Sequence, residues 1–206
     1  MIRAVVFDLF ETLVDYDDAR SREFSSRVAR FCGRDPDEFH PVWLEGKPQR
    51  DTGPMAPYLV SLGLGEEAIT DFLEMRRDST RGILACPKGG ALETLREVRA
   101  RGLRTGLITV CSEDTVDVWP ESPFAGLFDV EVFSSSCGLR KSDPRIYQLA
   151  LAQLGVEPRE AIFVGDGAND ELAGAERVGM RAVQVWKRDD WSGERIDSFE
   201  ELLDLL

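Results

Sequence analysis

The sequence predicts an α/β fold: a doubly wound parallel sheet with a block of helices inserted into it. Three features predict it. Short apolar runs rich in β-branched residues alternate with amphipathic helical segments, as in β-α-β units rather than hairpins. The first run, Ala4-Val5-Val6-Phe7, is too short for a helix and bounded by polar residues, so it reads as a strand buried on both faces. Between that run and the next strand pattern, residues 15–84 carry helical periodicity alone.

The elements follow in order. Residues 21–31 place Phe24, Val28 and Phe31 on one helical stripe, and 36–44 form a shorter second helix. The stretch 45–54, rich in Gly and Pro and carrying Lys47 and Arg50, reads as an exposed loop. Helices follow over 57–64, stopped by Gly63 and Gly65, and over 66–81, with Ile69, Phe72 and Leu73 inward. After Cys86-Pro87-Lys88-Gly89-Gly90 the pattern changes to alternating helix and strand. Helix 91–101, strand 104–110, strand 130–133, helix 143–154, strand 161–164, helix 171–178, strand 181–186 and a closing helix 198–206 complete the chain. Asp143-Pro144 supplies an N-cap and a first-turn proline. The expected division is an α/β core of residues 1–15 and 85–206 and a helical domain of 16–84, within reach of a chain of 206 residues.

Composition narrows the partners. A net charge of −13 makes nucleic acid and anionic membrane poor partners, and an anionic substrate would need local positive charge at its site. No apolar run approaches a membrane span, and Met1-Ile2-Arg3 leads straight into the first strand, so no leader is expected. Cys32, Cys86, Cys111 and Cys137 are scattered without a C-x-x-C pair, which favours reduced thiols and a cytoplasmic setting over a zinc site or disulfides.

The chemistry-bearing residues stand at strand ends, where ligands bind in open parallel sheets. Asp8 ends the first strand and reads as a nucleophile, a metal ligand, a base or a simple cap. Asp166 and Asp170, in Gly165-Asp166-Gly167-Ala168-Asn169-Asp170, follow another. Acids converging on one rim repel unless a divalent cation holds them, and hard oxygen donors favour Mg²⁺ over zinc. Thr109 at its strand end can donate to a phosphoryl oxygen, and Lys141 can neutralise a substrate anion. Lys47 and Arg50 are candidates for contacting the non-reacting part of a substrate.

Taken together these segments resemble the haloacid dehalogenase superfamily over nearly the whole chain. Asp8-Leu9-Phe10-Glu11-Thr12 is similar to the motif D-x-D-G-T, Leu107-Ile108-Thr109 to the second motif, Arg140-Lys141-Ser142-Asp143-Pro144 to K-P-D-P, and the segment 165–170 to G-D-x-x-x-D. The resemblance implies a Rossmann-like core with the strands before Asp8 and Asp166 adjacent at its centre. It implies a small helical cap inserted after the first motif. It also implies a nucleophilic Asp8, phosphoryl binding by Thr109 and Lys141, and Mg²⁺ held by Asp8, the Phe10 carbonyl, Asp166 and Asp170.

One position departs from the pattern. Phe10 stands where the family's phosphatases carry the acid–base aspartate, a group worth about 10²–10⁴-fold in rate, or roughly 3–5 kcal/mol of barrier. Glu11, which replaces the motif's glycine, is the candidate substitute. The expected function is a Mg²⁺-dependent phosphatase of a small phosphorylated metabolite, acting through an aspartyl-phosphate, as a monomer or homodimer. The alternatives are a catalytically weak protein that binds a phosphorylated ligand or partner, and a haloacid dehalogenase, suggested by the aromatic residue at position 10. The sequence carries no recognisable code for the substrate.

Overall fold

The computed structural model describes residues 1–186 and 191–206. Its sheet has six parallel strands in the order β3-β2-β1-β4-β5-β6. These are β1 (Ala4–Phe7), β2 (Arg104–Thr109), β3 (Val130–Phe133), β4 (Ala161–Gly165), β5 (Arg181–Val185) and β6 (Glu194–Ile196). β1 lies between β2 and β4, with Phe7 beside Leu107 on one side and Val164 on the other. The strands before Asp8 and Asp166 are therefore neighbours at the centre, as the resemblance implies.

Alternation along β1 explains the two-sided winding. Val5 and Phe7 face one layer, and Ala4 and Val6 face the other. The first layer packs on Leu95 and Val98 of α6 (Ala91–Ala100) and on Phe199 and Leu202 of α11 (Phe199–Asp204). The second packs on Ile146, Tyr147 and Leu154 of α9 (Arg145–Leu154) and on Leu172 and Ala175 of α10 (Glu171–Arg177). A strand buried on both faces needs the near-continuous apolar run that Ala4-Val5-Val6-Phe7 provides.

Between β1 and α6 stand α1 (Asp18–Phe31), α2 (Pro36–Glu45), α3 (Lys47–Asp51), α4 (Met55–Ser61) and α5 (Glu66–Leu84). They bury a cluster of their own, centred on Phe24, Phe39, Trp43, Leu59 and Phe72. Arginines along α5 join this block to α7 (Glu113–Val118) and the turn after it: Arg76 to Asp114, Arg77 to Asp117 and Arg81 to Glu121. At the other edge Ser134, first residue of α8 (Ser134–Cys137), donates to the Asp51 carbonyl.

Two readings of the sequence are corrected here. Residues 45–54 are not an exposed loop: Lys47–Asp51 is helical, and Arg50 and Asp51 are buried. Gly46 is present for close approach rather than flexibility, because a Cβ there would run into the Tyr58 ring. Pro48 sits in the first turn of the helix, where a missing N–H costs nothing. The sheet also gains β6, too short for a periodic signal and pinned to β5 by a bidentate Arg181–Glu194 pair at 2.6 Å. No helix among the described residues is long and apolar enough to cross a membrane.

Candidate active site

Asp8 leaves β1 still in register, its N–H donating to the Val164 carbonyl of β4 at 2.9 Å. The chain then folds back sharply, with Glu11 N–H on the Val14 carbonyl and Leu13 N–H on the Leu9 carbonyl, both 2.7 Å. Glu11 adopts φ 63°, a left-handed conformation uncommon for a non-glycine residue. This turn sends Thr12 back under the aspartate, where its buried Oγ1 donates to Asp8 Oδ2 at 2.9 Å. The other carboxylate oxygen of Asp8 receives Lys141 Nζ. Thr12 was not singled out from the sequence; its place in the first motif was the available signal.

Lys141 comes from the segment between α8 and α9, and its ammonium bridges two acids: Asp8, and Glu171 at 2.5 Å. Asp8, Asp166 and Glu171 present oxygens within 4.8 Å of one another, all buried. Burial pushes the Asp8 carboxyl up; Lys141 pulls it down and Asp166 adds to the rise. Glu171 is raised too, by burial and by Asp8, with Lys141 opposing. Burial works against the Lys141 charge, yet Asp8 and Glu171 outweigh it and hold its pKa above the ordinary lysine value. Three buried carboxyl groups thus gather around one ammonium. A hard divalent cation fits that donor set.

Glu171 replaces Asp170 in this cluster. Asp170 points outward, with its side chain 60% exposed and paired with Arg177 at 2.8 Å. The backbone decides between them. Gly167, Asn169 and Asp170 all have positive φ, so the chain swings out before α10 begins at Glu171. Glu171 then lies on the same buried helix face as Leu172 and Ala175. Gly165 leaves room for its carboxylate, which a Cβ there would displace, and Gly167 N–H donates to Oε1 at 3.0 Å. Tyr147 Oη donates to the Glu171 carbonyl at 2.9 Å, a contact possible because Gly174 has no side chain in the way. The sequence signal for Glu171 was its phase with Leu172 and Ala175.

Thr109, at the end of β2, is fully buried, and its Oγ1 has no hydrogen-bond partner among the described residues. A buried hydroxyl left unbonded costs about 1–3 kcal/mol, so this one is suited to an oxygen brought by a ligand. Burial pushes the nearby Cys111 thiol up to about 12, which keeps it an inert neutral group.

A cavity of about 410 Å³ separates the sheet rim from the inserted helices. On the rim side it meets Phe10 and Glu11, which follow Asp8, and Asn169, which follows Asp166. On the helix side it meets Lys47, Arg50 and Arg76. Phe10 lies edge-on to Tyr16, ring centroids 5.5 Å apart. Glu11 has its carboxylate tied back to the chain, with Oε1 accepting the Tyr16 N–H at 2.5 Å. Lys47 is paired with Asp51 at 2.7 Å. The site residues expected from the sequence thus fall into three groups. Asp8, Lys141 and Asp166 meet, with Thr109 on the neighbouring strand end; Lys47, Arg50, Phe10 and Glu11 border the cavity; Asp170 is in neither group.

A family model described as haloacid dehalogenase-like hydrolase matches residues 2–179. The chain is 28% identical over 192 residues to pyrophosphatase PpaX of Bacillus velezensis, covering 90% of this chain and 84% of that protein. It is 32% identical over 133 residues to glyceraldehyde 3-phosphate phosphatase of Methanopyrus kandleri, where the match covers 58% of this chain and only 56% of the relative. The solved structure of an HAD phosphatase from Thermococcus onnurineus superposes with a TM-score of 0.75 at 22% identity, covering 99% of this chain and 97% of that one, a likeness of fold.

Proposed function

Since the chain belongs to the haloacid dehalogenase-like hydrolase family, we propose that it is a Mg²⁺-dependent phosphohydrolase of small phosphorylated metabolites, with residues 1–15 and 85–206 as the catalytic core and 16–84 as a cap over it. The observation that carries the reading is the buried meeting of Asp8 with Lys141, Asp166 and Glu171 at the ends of two adjacent strands.

Asp8 is the nucleophile. Thr12 and Lys141 hold its two oxygens, so one rotamer is kept for attack on phosphorus. Lys141 keeps its proton and balances charge as the phosphoryl group moves onto the aspartate. Thr109 Oγ1 donates to a phosphoryl oxygen. Asp8, Asp166 and Glu171, with the Phe10 carbonyl, are the groups that would hold Mg²⁺. When bound, the ion supplies Lewis-acid polarisation of the phosphoryl oxygens. Phe10 offers no proton to the leaving group, and Glu11 is committed to Tyr16. Aryl and acyl phosphates, which leave without a proton, are therefore the better substrates.

A panel of phosphate esters assayed with Mg²⁺ and with a chelator, on wild type and Asp8→Asn, tests the proposal. Turnover that needs Mg²⁺ and disappears in Asp8→Asn is expected. Turnover indifferent to both removes it. Phe10 favours a second reading, halide displacement from a small haloacid, in which no leaving-group proton is needed; halide release in chelator would establish that reading instead.

A further inference from the structure

Arg50 is a buried cation that forms no ion pair among the described residues. It is 5% exposed, yet no acid stands within ion-pairing distance of it among the described residues. The acid next to it in sequence, Asp51, is taken by Lys47 at 2.7 Å and approached by Arg140 at 4.0 Å. The third cation at the cavity, Arg76, is ion-paired: Nε and Nη2 hold Asp114, and Nη2 also holds Ser112. Arg50 has neutral partners. Its guanidinium carbon lies 3.7 Å from the Trp43 ring centroid and 5.2 Å from that of Tyr58, and Nη1 donates to the Trp43 carbonyl at 2.5 Å.

A guanidinium has five N–H donors in a fixed plane. Stacking on Trp43 fixes that plane and uses no donor; the Trp43 carbonyl and the Tyr58 hydroxyl each take one, and further N–H groups are left over. Burial opposes its charge and pulls its pKa below the ordinary arginine value. A desolvated cation with donors to spare, on the wall of a cavity that borders the nucleophile's own loop, is arranged for an anion that arrives from outside. The cavity, at about 410 Å³, suits a small molecule.

Building on the phosphohydrolase reading, we propose that the substrate is a phosphomonoester carrying a second oxyanion, a carboxylate or another phosphate, at the end away from the reacting phosphorus, and that Arg50 binds that oxyanion and sets specificity. Trp43 acts as a positioning residue, holding the guanidinium plane. The phosphoryl end reaches towards Asp8 and Thr109, the distal oxyanion lies on Arg50, and Phe10 flanks the carbon skeleton between them.

Esters matched in shape test this. Phosphoglycolate is compared with ethyl phosphate, 4-carboxyphenyl phosphate with 4-methylphenyl phosphate, and propanediol bisphosphate with propyl phosphate. The wild type is expected to prefer the doubly anionic member of at least one pair, by kcat/KM, about 30-fold or more. The preferred pair identifies the oxyanion. In Arg50→Gln that preference falls to near unity, carried mainly by KM, and thermal melting together with circular dichroism reports whether the fold is intact. Arg50→Lys, which keeps the charge and loses the fork, falls between, and decides the matter if the glutamine variant does not fold. No preference in any pair, or a preference that survives both variants, overturns the assignment. If the wild type hydrolyses none of these esters, the phosphohydrolase reading falls separately. Calorimetric binding of the same pairs to wild type and Arg50→Gln then decides the role of Arg50 by the same criterion.

Discussion

Lys141 Nζ and Glu171 Oε2 lie 2.5 Å apart, both side chains buried, and the same ammonium touches Asp8. The pair ties the start of α10 to the end of β1 through a residue distant in sequence from both. Of the two adjacent acids it is Glu171, and not Asp170, that faces Asp8.

The two adjacent acids should therefore behave differently. Glu171→Gln is expected to raise the Mg²⁺ concentration needed for half-maximal activity about 10–100-fold, the scale on which groups around a metal act. Asp170→Asn removes only an exposed pair with Arg177 and should change activity by about a factor of two or less. Mg²⁺ titrations of turnover check this, and equal losses in both variants would contradict the geometry.

Mg²⁺ should stabilise the fold. The three carboxylates proposed to hold it meet only in the folded chain. At about 100 times its Kd the ion contributes about 2.7 kcal/mol, which for a chain of this size raises Tm by about 5–10 °C. Calorimetry with MgCl₂ against EDTA reads the shift. Asp166→Asn and Glu171→Gln should shrink it, and a Tm blind to Mg²⁺ in wild type counts against the site.

Phe10→Asp restores a group able to shuttle protons. Alkyl phosphates should gain about 10²-fold or more in kcat, and aryl phosphates far less, since their leaving groups need no proton. The ring's edge contact with Tyr16 is lost, so the variant should melt somewhat lower. Steady-state rates on both ester types, with Glu11→Gln as the control, measure the difference; an equal gain on both would count against a leaving-group role.

The junction between the inserted helices and the core should be acid-sensitive. Burial would raise the Asp114 carboxyl, but Arg76 and the hydroxyls of Ser112 and Thr80 outweigh it and hold the group below its ordinary 3.8. A depressed carboxyl stabilises the folded state above that value and loses the contribution as pH falls through the lower, folded one. Asp114→Ala leaves Arg76 facing no acid and should cost about 3–5 kcal/mol at neutral pH. Denaturant melts across the acid range should show a shallower decline for the variant than for wild type below pH 4, the reference being that same 3.8.

Much of this was legible in the chain itself. Ala4-Val5-Val6-Phe7 has an unbroken apolar run that only a strand covered on both sides can use, and the helical segments 91–101, 143–154 and 171–178, each leading into a strand, point to a parallel sheet. Parallel strands carry their carboxyl ends to one rim, so the order Asp8, Thr109, Lys141, Asp166 already implied a shared site. Tertiary structure alone decided which way particular side chains point. Asp170 and Glu171 are adjacent acids that carry the same charge. The left-handed turn through Gly167, Asn169 and Asp170 and the empty space at Gly165 put one inside and the other in water. Arg50 looks like a loop charge until Trp43 and Tyr58, from two other helices, close around it. Periodicity reports a face averaged over an element. The direction of a single side chain is set by neighbours remote in sequence, and those contacts exist only once the chain has folded.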